Sequence, residues 1–294
     1  MRLISYRSGT VEKLGVAAGE RWLPAEELVV NGPDAIGALL AAGTDGLDVL
    51  RRASSPDRIK QDGRPFDGLT LLAPVPRPGK VIAIGRNYRE HAAEEGADPP
   101  REPLIFSKWP SSVVGHGAEI RWSADLTGQV DYEAELAVVI GRRARRVAVG
   151  DALEYVLGYT CLNDVSARDL QFADGQWVRG KSLDTFCPMG PALVTADEVG
   201  DPQDLAIRCT VGGEEVQSAH TSQMYFSVAQ IISHCSQAFT LEPGDVIATG
   251  TPGGVGVFRD PPRFLGDGDL VSVEIERIGR LDNICRIDRD EVPR

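Results

Sequence analysis

The densest run of chemically capable side chains lies between Gln129 and Gly141, where Asp131, Glu133 and Glu135 alternate with Tyr132, Ala134 and Leu136. On an extended strand, successive side chains point to opposite faces. Val130, Tyr132, Ala134, Leu136, Val138 and Ile140 then form one apolar face, and the three carboxylates share the other. Like charges at adjacent same-face positions repel unless water or a cation compensates them. An all-oxygen donor set suits a hard cation, so Mg²⁺ or Mn²⁺ fits better than Zn²⁺. Mg²⁺ usually keeps water positions open, where a substrate could chelate. The same spacing also describes an amphipathic strand with a solvated acidic face. For Glu274-Ile275-Glu276, which shares it, we prefer that plainer reading.

Asp164, in Asn163-Asp164-Val165-Ser166-Ala167-Arg168-Asp169, is a further candidate carboxylate that follows a β-like run at 157–162. Asn, Asp and Ser are equally at home in a strand-end turn or a helix cap. His91 and Glu94 stand three apart on a predicted helix and share a face. A carboxylate beside an imidazole orients it and raises its basicity, as a general base requires. A surface pair would have the same spacing. His116, His220 and His234 have no comparable partner nearby and read as structural or solvent-facing. Lys181 is the one lysine of the Gly/Pro-punctuated loop 180–191. It could supply a cation to a substrate carboxylate or a developing enolate, or be an exposed turn residue. The glycine-rich run 249–256 lacks the Gly-Lys-Ser/Thr ending of a phosphate loop, which leaves a backbone-lined substrate loop or a plain tight turn. No Gly-x-Ser-x-Gly elbow occurs, against a serine hydrolase.

The elements that must position these groups are mostly strands. Residues 1–72 are expected to form a small N-terminal α+β domain, with β-like runs at 3–6, 13–16 and 27–30 and helix-like stretches at 34–42 and 46–53. Three prolines and a glycine within 73–79 stop both helix and sheet, so a linker is placed there. From 80 to 294, β-branched runs recur at 80–84, 135–140, 207–211, 245–248 and 270–275, and helical patterns are confined chiefly to 89–95 and 227–237. Strands outnumber helices without alternating regularly with them. The expected class is α+β, mainly β, not a doubly wound parallel sheet.

Composition narrows the partners. The 43 acidic side chains outnumber the 31 basic ones, and the resulting net charge of -12 makes nucleic acid and anionic membrane surfaces poor partners. A small anionic substrate is still compatible, because a local cation dominates inside a pocket. No run of roughly 18 apolar residues occurs, and the first residues lack the apolar core of a secretory signal. The five cysteines are odd in number, scattered and never spaced Cys-x-x-Cys. They read as reduced core residues of a cytoplasmic protein.

Five motifs in order complete the picture. They are Gly-Arg-Asn-Tyr-x-x-His-x-x-Glu (85–94), Asp-Tyr-Glu-x-Glu-Leu-Ala (131–137), Asn-Asp-Val-Ser-Ala-Arg-Asp (163–169), Gly-Lys-Ser-x-Asp-Thr-Phe-Cys-Pro-x-Gly-Pro (180–191) and Thr-Gly-Thr-Pro-x-Gly-Val-Gly (249–256). Together they resemble the fumarylacetoacetate hydrolase family over roughly residues 80–290. The resemblance implies a catalytic β-sandwich roll, usually paired as a homodimer, and Mg²⁺ or Mn²⁺ held by Glu133, Glu135 and Asp164. It also implies a catalytic pair, His91 and Glu94, on a segment that orders over the site, with Lys181 as the active-site lysine. Arg86, Tyr88, Gln171 and Thr251 match positions that line the family's substrate pocket. Trp109 is bulkier than the pattern leads us to expect, which implies a pocket of altered size. The implied activity is hydrolysis of C–C bonds in small 2-oxo acids of the acylpyruvate or fumarylpyruvate type through a metal-stabilised enolate. Oxaloacetate decarboxylation and 2-hydroxyhepta-2,4-diene-1,7-dioate isomerisation are the alternatives within the enzyme class. A non-catalytic binder of metal and 2-oxo acid is the alternative outside it.

Overall fold

The computed structural model describes residues 1–96 and 98–288. Its main sheet runs, from one edge, through Arg64–Pro65, Arg21–Pro24, Val11–Ala18, Arg2–Ser8, Cys187–Thr195, Val156–Asn163, Ala134–Ile140, Val246–Ala248, Val81–Gly85 and Leu104–Lys108. A second sheet orders Glu214–His220, Ala206–Val211, Leu270–Ile275, Gly279–Asp288 and Glu119–Ser123. Most neighbours are antiparallel; Val246–Ala248 with Val81–Gly85 and Gly279–Asp288 with Glu119–Ser123 are parallel. The fold is α+β and mainly β, as the spacing of its strands implies.

The central Ala134–Ile140 strand is buried at every residue. Val130, Tyr132, Ala134, Leu136, Val138 and Ile140 enter one apolar core, as the alternation requires. Ala137 and Val139 enter a second core together with Leu3, Leu14, Leu39 and Leu50 from the N-terminal part. A strand covered on both faces can carry apolar residues at consecutive positions. Glu135 is therefore anchored on a strand that is buried along its whole length.

The N-terminal strands extend the same main sheet through the pairs Arg2↔Val194 and Leu3↔Leu193. Residues 73–79 hold no helix or strand, yet Ala73 and Val75 are buried in the core the two parts share. The helical stretches at 34–42 and 46–53 form one span, Ile36–Ala53, broken at Gly43 by φ 61° and ψ -144°. The strand expected at 27–30 is absent. Ala25–Leu28 is a short helix that Pro24 enters at φ -57°, with Glu26 and Glu27 in its first turn. Acidic residues at a helix start complement the macrodipole, and Val30, left 87% exposed, has no sheet to join.

Candidate active site

The acidic stretch is not one continuous strand. Val130–Asp131 pairs with Ser166–Ala167, whereas Ala134–Ile140 pairs with Val156–Asn163 through Ala134↔Asn163. The chain changes partner at Tyr132–Glu133, and the facing chain changes partner at Asp164. The backbone N–H of Asp164 donates to the Glu133 carbonyl at 2.9 Å, and the Asn163 side-chain oxygen accepts from the Glu133 N–H at 3.0 Å. Two crossings thus bring Asp164 beside Glu133 and Glu135, all three buried, with oxygens within 4.8 Å of one another. Asp131 is diverted. Its carboxylate accepts from the backbone N–H groups of Tyr132, Gly256 and Val257 and from Arg168 Nε at 2.8 Å.

Three buried cations face this cluster. Lys181 Nζ lies 2.7 Å from Glu133 Oε2 and 3.0 Å from Asp164 Oδ2. Lys108 Nζ donates to Asp164 Oδ1 at 2.6 Å and to the carbonyls of Val165 and Lys181. Arg168 Nη2 lies 2.8 Å from Glu133 Oε1, and its Nη1 donates to Gln171 at 3.0 Å. Four carboxyl groups, with Asp131, stand against three cations, so one carboxyl is left without a cation partner. Its place can be located. Burial would raise the Glu133 carboxyl, but Lys181 and Arg168 outweigh it and hold it at about 2. Glu135 is pushed well above the usual carboxylate range by burial and then by Asp164 and Glu133. Lys181 loses stability as a cation through burial, yet Asp164 and Glu133 more than restore it, and its pKa rises. The ion pairs go to Glu133 and Asp164; Glu135 receives a backbone N–H from Gly250 at 2.8 Å. An oxygen-only group in which one carboxyl has no cation partner of its own fits a hard divalent cation.

His91 is on the Arg89–Glu94 helix, which follows the Val81–Gly85 strand. Asn87, fully buried, pins the connection by donating to the carbonyls of Thr249 and Phe226 and accepting from the Phe226 N–H. The His91 ring lies between two glutamates: Nδ1 is 3.8 Å from Glu94 and Nε2 is 3.4 Å from Glu95. Nδ1 is buried and has no hydrogen-bond partner. Glu95 also pairs with Arg86.

His91, Lys181, Glu133 and Glu135 line one cleft, and Arg86, Gln171 and Thr251 join them. Tyr88 and Glu94 lie outside its lining: Tyr88 packs in the core with its hydroxyl buried and unpartnered, and burial followed by the Glu135 charge raises its pKa. Phe106 and Trp177 wall the cleft, edge to face at 5.2 Å. Trp109 does not narrow it. Phe106 faces the cleft and Lys108 reaches Asp164 from the same side of their strand, so Trp109, one residue on, falls outside and is 56% exposed. Sequence reasoning missed Lys108, Arg168 and Glu95. Glu95 could have been found from its i,i+4 spacing to His91. Nothing local marks Lys108.

A mainly-β fold that buries three carboxylates beside a histidine flanked by glutamates defines the class of site, an oxygen-donor cluster that could hold a cation. The chain belongs to the fumarylacetoacetate hydrolase family, since the profile "Fumarylacetoacetate (FAA) hydrolase C-terminal" matches residues 80–286. It is 47% identical over 253 residues to the mitochondrial oxaloacetate tautomerase FAHD2A of Bos taurus, covering 85% of this chain and 79% of that protein. The fumarylacetoacetate hydrolase of Exiguobacterium antarcticum superposes with a TM-score of 0.84 at 39% identity, covering 98% of this chain and 100% of that one. A maleylpyruvate hydrolase from Sphingobium sp. SYK-6, solved with manganese(II) and pyruvate, superposes at 0.79 with 31% identity, covering 98% and 100%. Among the described residues no helix is long and apolar enough to cross a membrane.

Proposed function

We propose that this chain is a Mg²⁺- or Mn²⁺-dependent enzyme that forms and quenches the enolate of a small 2-oxo acid, with keto–enol interconversion of oxaloacetate as its leading reaction. The observation that carries the reading is the buried group of Glu133, Glu135 and Asp164, of which Glu133 and Glu135 line one cleft with His91. The bovine relative's name supplies the substrate.

A divalent cation held by the three carboxylates would act as a Lewis acid toward the substrate's 2-oxo and carboxylate oxygens. Lys181, kept protonated by Asp164 and Glu133, adds positive charge where the enolate oxygen develops. His91 takes the proton from the carbon next to the 2-oxo group and releases it to solvent, and the enolate oxygen gains one from solvent, so the reaction moves a proton and breaks no C–C bond. Arg86 and Gln171, which line the cleft, would hold the far carboxylate.

Hydrolysis of an acylpyruvate is the second reading, with decarboxylation of oxaloacetate behind it. The solved maleylpyruvate hydrolase favours it, as does the unpartnered Nδ1 of His91, to which an attacking water could bond. A non-catalytic binder would need neither Lys181 in the pocket nor a histidine between two carboxylates. The homodimer and the cytoplasmic location belong to the same reading. Five buried free cysteines suit a reducing compartment, while "mitochondrial" is said of the vertebrate relative.

The test uses EDTA-stripped protein with and without Mn²⁺ or Mg²⁺, following the ultraviolet band of enol-oxaloacetate, and pyruvate and CO₂ separately. Metal-dependent decay of the enol band without pyruvate is expected. Pyruvate released with a matching acid from acetylpyruvate or fumarylpyruvate would move the assignment to the hydrolase. Pyruvate with CO₂ from oxaloacetate would move it to the decarboxylase. Tight Mn²⁺ binding with no turnover of any of these would sink the enzyme reading.

A further inference from the structure

The glycine-rich turn at 249–256 does more than reverse the chain. Its backbone donates to carboxylates in three different places: Gly250 N–H to Glu135 at 2.8 Å, Gly254 N–H to Glu94 at 2.7 Å, and Gly256 N–H to Asp131 at 2.8 Å. The turn is itself held down. The Thr249 N–H and hydroxyl both donate to the Leu136 carbonyl, and Gln217 donates to Thr251 and to the Pro252 carbonyl. Gly253 has an ordinary φ, so its backbone would accept alanine. A Cβ there would nevertheless stand 3.0 Å from Glu90 Cβ and 3.1 Å from Glu94 Oε1. The space that Gly253 leaves is the seat of Glu94.

Glu94 therefore meets the turn at 2.7 Å and His91 only at 3.8 Å. We propose that Glu94 is a positioning residue that docks the His91 helix on the 253–254 backbone, so that the turn, tied also to Glu135, sets where the imidazole stands relative to the acid cluster. The docking needs an oxygen acceptor at Glu94 and an empty Cβ position at Gly253. It does not need the negative charge of Glu94, and it holds whatever the substrate is.

The full chain is tested by the rate at which diethyl pyrocarbonate modifies His91, read by peptide mass spectrometry, and by amide exchange over 89–95. Loss of a hydrogen bond that seats a helix corresponds to up to about ten-fold in local opening. Gly253→Ala and Glu94→Ala should each speed His91 modification and helix exchange by about ten-fold, with exchange in the Ala134–Ile140 strand unchanged. Glu94→Gln, which keeps the acceptor, should stay within about three-fold of the parent. Glu94→Gln behaving like Glu94→Ala would overturn the proposal in favour of a charge-dependent pairing with His91. An unchanged His91 rate in folded Gly253→Ala would overturn it as well. If Gly253→Ala loses its cooperative melting, the Glu94→Ala and Glu94→Gln pair decides alone.

Discussion

Glu133-Ala134-Glu135 and Glu274-Ile275-Glu276 have the same spacing and opposite fates. At the first, both glutamates are buried and meet Asp164. At the second, both are exposed: Glu274 lies across from Arg208 and Arg280 on the neighbouring strands, and Glu276 accepts from the Ala206 N–H and lies 3.8 Å from Arg277. The difference is what covers the face. The first strand is central, so its carboxylates point into protein and must find cations or protons there. The second belongs to the smaller sheet with one face to water, which solvates charge cheaply. Acidic alternation identifies a strand; only its place in the sheet makes a site.

The predictions test that contrast, largest effect first. Glu133→Gln or Asp164→Asn should weaken Mn²⁺ binding by about 100-fold or more and remove activity with it. Isothermal titration reads this, and unaltered affinity in both variants would refute the ligand assignment. Lys108→Met should destabilise the fold by roughly 3 kcal/mol, because Asp164 would lose a fully buried partner. Urea unfolding measures it, and a loss as small as that of a surface pair would mean that Lys108 compensates nothing.

The pH dependence should separate the two glutamates of the site. Glu135 has a raised pKa, so it keeps its proton at pH values where an ordinary carboxylate is ionised, and that proton competes with metal. Mn²⁺ affinity is expected to fall on acidification earlier than for exposed carboxylates, and Glu135→Gln should flatten the curve. A pH-independent affinity between pH 8 and 5 would contradict this. Glu133 has the opposite sign. Its folded pKa of about 2 lies below the ordinary value of 4.5, so the stability it contributes is present above 4.5 and lost as pH falls toward 2. Acid unfolding of Glu133→Gln should lack that contribution. At the other strand, the pair Glu274→Gln and Glu276→Gln should shift stability by within about 0.5 kcal/mol and leave Mn²⁺ affinity alone. A larger change at either readout would erase the comparison.

Much of this was legible before folding was considered. The alternation at 130–140 separated six apolar residues, which share one core, from the carboxylates between them, even though the chain changes sheet partner on the way. The runs at 135–140, 207–211 and 270–275 and the helix at 227–237 were legible for the same reason of period. The run at 27–30 misled because a short apolar segment does not distinguish strand from helix. Trp109 misled because its bulk was visible and the side of the chain it would occupy was not.

What the sequence determined alone was local: periodicity, the chemical type of each donor, and the carboxylate and histidine candidates with their spacings. What only the tertiary structure decided was pairing. Asp131 and Glu135 are alike in type and in the same alternation of the sequence, yet Asp131 meets Arg168 and three backbone N–H groups while Glu135 meets one N–H and two other carboxylates. Lys108, Lys181 and Arg168 reach the cluster from elements far apart in the chain. The energy of a buried charge depends on its nearest partners and on exclusion of water. Neither is set by neighbours in sequence, so the site's charge balance exists only once the sheet has closed around it.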